Sequence, residues 1–182
     1  ARSEVDRYDQ EWVIAATLAV GSAGAGSAGA RSALVGQPAS FVVPTPSRLL
    51  AAACGIADEI GARAVLGDGD RANWLCLERV ADAHWAVLPM GGGLAEGYCG
   101  VALFLAQIGS LARADRYTAL ARDAVRPLPA LLAGMAGDPD LSAAVGPGAL
   151  SGLGGIVYAL VRLSALLGEE VGRCLPDAFT AL

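Results

Sequence analysis

The chain has 182 residues, 54% of them apolar, and a formal net charge of −5. That length supports one ordinary domain with a core of its own. The acidic balance excludes the basic stripe that a nucleic-acid partner calls for.

Arginine supplies every basic side chain, which in so Ala- and Gly-rich a chain reads as coding bias. The apolar content raises the question of a membrane. The longest uncharged stretch, 141–161, contains Gly146, Pro147, Gly148, Gly152, Gly154 and Gly155. A bilayer span needs about 20 predominantly apolar residues in one helix, so no membrane span is expected. The N-terminus lacks a charged start followed by an apolar core and a cleavage site, and the expected location is cytoplasmic. In that compartment Cys54, Cys76, Cys99 and Cys174, widely spaced and free of C-x-x-C or C-H pairs, read as reduced, small core residues rather than metal ligands.

Residues 4–19 predict a helix, with Val5, Tyr8, Trp12, Ala15 and Ala16 at helical spacing. The Gly/Ser/Ala run at 21–30 cannot bury a core, and 21–43 reads as a linker or mobile loop. Thr45-Pro46 is a helix start, a hydroxyl cap followed by proline at the first helical position. The helix behind it is expected to stack Leu49, Ala53, Ile56, Ile60 and Ala64 on one face and to end at Gly67-Asp68-Gly69-Asp70. That quartet lacks the remaining calcium-loop ligands and reads as a solvated turn. Residues 74–78 and 84–88 are short apolar segments around a polar break.

The run G-G-G-L-A-E-G-Y-C-G at 91–100 opens a helix. A phosphate cradle would need either Gly-Lys-Ser/Thr or a βαβ context, and neither is visible. The helix expected over 101–112 is apolar nearly all round, so it should be buried. Asp115 is expected to cap an amphipathic helix with Tyr117, Leu120, Ala121, Ala124 and Val125 inward, ended by Pro127 and Pro129. The pattern then returns at an offset of 55 residues: Gly152-Leu153-Gly154-Gly155 matches Gly97-Tyr98-Cys99-Gly100, and I-V-Y-A-L matches V-A-L-F-L. Repetition at such a period marks a repeat architecture. Buried and amphipathic helices alternating within it imply an inner and an outer layer, each unit needing neighbours to bury its inner helix. The fold class expected is all-α. Two units are fewer than such folds need, so further units are expected after Leu182.

W-L-C-L from Trp74, H-W-A-V-L-P from His84, G-L-A-E-G-Y-C-G-V-A-L-F-L-A-Q-I-G, D-R-Y-T-A-L-A and G-A-L-S-G-L-G-G-I-V-Y-A-L occur in that order. Together they resemble the opening of the cyclase domain of class II lanthipeptide synthetases. The N-terminal E-V-D-R-Y-D-Q-E-W-V-I-A-A-T-L-A is similar to the stretch that leaves the dehydratase domain of those enzymes. The resemblance implies a partial α/α toroid, with residues 1–45 a helix and linker from the end of the dehydratase and 46–182 the first repeats of the cyclase. It implies a precursor peptide as partner and substrate, whose Cys thiols add to dehydrated Ser and Thr to form thioether rings. It also implies a zinc ion in the parent enzyme, held by two Cys and one His within W-C-x-G and C-H-G motifs. Neither motif occurs here, so no catalytic or metal-ligating residue and no cofactor is expected in this chain, and the chain by itself is expected to be inactive.

Two residues are candidates for substrate binding. Glu96 stands in a glycine turn just before a helix N-terminus, where anionic groups are favoured and where toroids of this kind face their substrate; the bland reading is a helix-end carboxylate. Tyr98 follows where the family often reads Leu-Tyr-Asp-Gly and this chain reads Leu94-Ala95-Glu96-Gly97, so it takes over part of the missing aromatic. His84, the single histidine, reads as a packed or surface side chain, and Trp12, Trp74 and Trp85 as core aromatics. The alternative function is a non-catalytic helical-repeat module that binds peptides on a concave surface. A glycosidase of the same architecture ranks last, because it needs two carboxylates facing across a cleft.

Overall fold

Thr45 caps the first helix as its hydroxyl predicts, accepting a hydrogen bond from the Arg48 amide, with Pro46 at the first position. In the computed structural model, residues 43–67, 71–81 and 84–182 are described. The helix expected over 4–19, the linker and Trp12 lie outside them. In chain order the described elements are α1 Pro46–Ala62, β1 Val65–Gly67, β2 Arg71–Asn73, β3 Leu75–Ala81, β4 His84–Pro89, α2 Tyr98–Ala112, α3 Asp115–Val125, α4 Leu128–Gly137, α5 Pro139–Val145, α6 Leu153–Leu167, α7 Glu169–Gly172 and α8 Leu175–Ala181. The described chain is therefore mostly helical. No described helix is long and apolar enough to cross a membrane.

The first helix departs from its expected face. Ala57 is its buried residue, flanked by half-buried Ala53, Cys54, Ile60 and Gly61, whereas Leu49 and Ile56 are exposed. Small residues won the inward stripe because α2 and α3 pack on it at close range. The helix also ends at Ala62, short of the Asp/Gly quartet, because Val65, Leu66 and Gly67 pair with Asn73, Ala72 and Arg71 in an antiparallel hairpin.

A second hairpin joins β3 to β4, with Leu75 opposite Pro89 and Leu77 opposite Val87. These are the short apolar segments of the sequence; their alternation and β-branched content suit a pleated surface. Trp74 sits at the junction, buried, and its indole N–H donates to the Ile60 carbonyl at 2.8 Å. Trp85, expected in the core, is instead 62% exposed on β4. A two-stranded ribbon has two faces, and only one of them can turn inward.

The inner layer is α2 and α6, which pack side by side. Leu105 on α2 and Leu153, Ile156, Leu160 and Leu163 on α6 are fully buried. Outside them lie α3 against α2, and α8 against α6 and α4. Asp115 is the first residue of α3 rather than its cap, which is Ala114; its carboxylate still meets the positive end of the helix. Tyr117, Ala121, Ala124 and Val125 are buried as expected. The chain bends at Arg126 and Pro127 and resumes as α4, where Leu128 and Leu132 fill the core.

Side chains tie the layers together. The Tyr117 hydroxyl donates to Asp58 Oδ1 at 2.7 Å, and Arg116 reaches the same oxygen at 3.0 Å, joining α3 to α1. These two partners, Tyr117 first, hold the Asp58 carboxyl below its ordinary range. Arg122 donates to the Leu167 carbonyl at the C-terminus of α6, where a cation meets the negative end of the helix.

Candidate functional site

The site is built from the two glycine turns. In the first, the Tyr98 amide donates to the Gly91 carbonyl at 2.8 Å; in the second, the Leu153 amide donates to the Gly146 carbonyl at 2.9 Å. Both bonds span seven residues and lie 55 residues apart. A side chain cannot be accommodated at either cap. A Cβ on Gly97 would lie 2.3 Å from the Gly93 backbone, and one on Gly152 would lie 2.4 Å from the Gly146 carbonyl oxygen. Gly97 and Gly152 both have extended backbone, so the need for glycine is one of space.

The turns also hold each other. The amides of Leu94 and Ala95 both donate to the Leu150 carbonyl, at 2.8 and 3.0 Å. Three cavities open around the first turn, and Glu96 lines all of them. One of about 540 Å³ runs between Ile56 and Ile60 of α1, Met90, Leu94, and Val101 and Phe104 of α2. A second of about 310 Å³ has Glu78, Met135 and Ile156 in its wall. The third, about 740 Å³, lies against the β3–β4 hairpin at Cys76, Leu77, Glu78 and Trp85. Glu96 itself is exposed.

Tyr98 stands elsewhere. It is 7% exposed, belongs to the core, and lines none of these cavities. Burial pushes its phenol well above the ordinary value. The two candidate residues are therefore near in sequence but point to different surroundings: Glu96 to the cavities, Tyr98 into the packing under the turn. His84 is exposed at the start of β4.

Two side chains join Glu96 that the sequence did not single out, Glu78 and Cys76. The signal was present in the i, i+2 spacing of Cys76 and Glu78, which places both on one face of a strand. The Cys76 thiol lies 3.6 Å from Glu78 Oε1, and burial followed by that carboxylate pushes it upward. A reactive thiolate needs the opposite, a positive surrounding. The site thus offers two carboxylates over apolar walls, an arrangement for binding a ligand that is apolar and carries positive charge.

The cysteines do not make a metal centre. Cys99 is buried beneath the first turn with its thiol pushed up to about 12, first by burial and then by the neighbouring Cys174. Among the described residues no three of His, Cys, Asp or Glu come together in a way that could hold a metal ion. The donor set described does not fit zinc.

Glycine-capped inner helices with amphipathic helices packed outside them define a helical-hairpin repeat protein. Residues 89–175, which contain both glycine turns, match the family model of the lanthionine synthetase C-like proteins. That stretch of the chain is a lanthionine synthetase C-like segment. No curated protein matches the chain.

Proposed function

We propose that this chain is part of a class II lanthipeptide synthetase, and that residues 46–182 supply the first two units of its cyclase toroid. The observation that carries the reading is the family match over 89–175, in which the glycine turn, its seven-residue hydrogen bond and its buried helix all recur at 55 residues. In this reading the parent enzyme adds Cys thiols of a precursor peptide to dehydrated Ser and Thr. Its zinc is held by residues outside this chain, and the present residues shape the wall that the peptide meets. Glu96 is the rim contact, and Tyr98 supports the turn that carries it.

The cavity shared by Glu96, Glu78 and Trp85 supplies the test. A dehydrated precursor peptide with a free Cys is titrated into the protein while tryptophan fluorescence is followed. Saturable quenching is expected, weakened several-fold in Glu96→Gln, with no ring formation by the chain alone. A wild-type chain that leaves the fluorescence unchanged would sink the substrate-wall reading. Thioether formation by these 182 residues would show that the catalytic groups were misplaced. A non-catalytic peptide-binding module, favoured by the apolar walls around Glu96, is the reading left if a longer parent protein binds the peptide but closes no ring.

A further inference from the structure

The 55-residue register aligns α2 with α6 position by position, yet the two helices are not buried alike. On α2, Cys99, Ala102 and Ala106 are at most 1% exposed. Their counterparts on α6 are Gly154, Val157 and Val161; the first two are half-buried and Val161 is 47% exposed, with Tyr158 beside it at 53%. The opposite flank shows the reverse. Gly155, Ile156 and Ala159 of α6 are buried, while their counterparts Gly100, Val101 and Phe104 of α2 are only half-buried.

One interface explains both differences. Because α6 packs against α2, the trailing flank of α2 and the leading flank of α6 lose solvent together. The two unused flanks are the same two surfaces, left over at opposite ends of the pair. The leading flank of α2 opens into the groove of about 540 Å³ whose far wall is Ile56 and Ile60. The glycine backbone at Gly97 and Gly100 lines that groove, as the equivalent backbone at Gly155 receives Leu94 inside the chain, where a Cβ would come within 3.0 Å of the Leu94 Cβ.

We infer that two copies of this chain associate head to tail, the Val157–Tyr158–Val161 flank of α6 in one copy seated in the α1–α2 groove of the next. The contact continues the internal α2–α6 interface across the molecular boundary. The described residues hold a matching flank for that groove in α6, so the occupant that fits is a second copy. The interface is heterologous, with different surfaces on the two sides, and this gives it a distinctive test.

Ile56 and Val161 are both exposed helix positions, and arginine is a good helix former, so Ile56→Arg and Val161→Arg should fold, as circular dichroism can verify. By sedimentation velocity the wild-type chain is expected to self-associate as its concentration rises. Each variant alone should be monomeric, because each has lost one of the two halves. An equimolar mixture should form a one-to-one dimer, since Ile56→Arg keeps the α6 flank and Val161→Arg keeps the groove. A monomeric wild-type chain would mean that the α6 flank awaits a further unit of a longer chain, and would overturn the inference. So would a variant that still self-associates, or a mixture that stays monomeric. None of these outcomes bears on the peptide-wall reading, which rests on the titration above.

Discussion

Replacing Gly97 by alanine tests the glycine turn directly. The added Cβ would fall 2.3 Å from both the amide nitrogen and the carbonyl oxygen of Gly93, and 2.4 Å from the Gly91 carbonyl oxygen. All three are backbone atoms, so no side chain can swing aside and the loop itself must open. Overpacking of that kind costs about 1–3 kcal/mol. Opening the loop also breaks the 2.8 Å bond from Tyr98 to Gly91, worth about 1 kcal/mol. Together these give a loss of roughly 2–4 kcal/mol, or about 2–4 °C in Tm per kcal/mol for a chain of this size. Gly55→Ala is the control: it is an exposed mid-helix position with nothing within 4 Å of the new atom, and it should stabilise by about 0.5–1 kcal/mol. Urea unfolding followed by circular dichroism reads both. If Gly97→Ala unfolds within about 0.5 kcal/mol of the wild type, the close approach of backbone to backbone is not what requires glycine there.

Further outcomes follow from the packing. Trp74→Phe keeps the aromatic volume in part but removes the donor to Ile60, so it should destabilise by about 1–2 kcal/mol in the same urea assay. The Cys99 thiol is raised in the folded state to about 12 from a model value of 9.0. The unfolded chain therefore releases its proton first, and stability should fall as pH rises from about 9 to 12. Cys99→Ala should flatten that limb, and an unchanged slope would refute the assignment. Asp58 shifts the other way, its carboxyl lowered by Tyr117 and Arg116. Its contribution is present above the unfolded value and is lost as pH falls through the folded one, so Tyr117→Phe should shrink the acid dependence of stability between those values. Cys99 should also resist alkylation in the native protein, with labelling that tracks global unfolding, because it is fully buried.

Much of the architecture was legible in the residues. Thr45-Pro46, the 55-residue repeat and the inward stripe of α3 are local patterns, and local patterns carry their own physics: a hydroxyl caps amides, glycine leaves room, and apolar periodicity selects a face. Where two outcomes have similar local energies, the chain alone could not choose. Leu49 and Ile56 share a helical stripe with Ala53 and Ile60, but the close approach of α2 and α3 turned the smaller residues inward. Trp74 and Trp85 stand in similar apolar surroundings in sequence; the hairpin buried the first against Ile60 and left the second outside.

The candidate site divides the same way. Glu96 could be found from its turn, because a carboxylate before a helix N-terminus has a local reason to be there. Tyr98 could not be placed, since its neighbours come from elements distant in sequence. Glu78 and Cys76 reach the same cavity only through the pairing of β3 with β4. The sequence by itself determined that this is a helical repeat with glycine-capped inner helices, because steric need and periodicity act within a few residues. Tertiary structure alone decided which flanks of those helices are covered and which stand open, because burial depends on what the rest of the chain brings alongside.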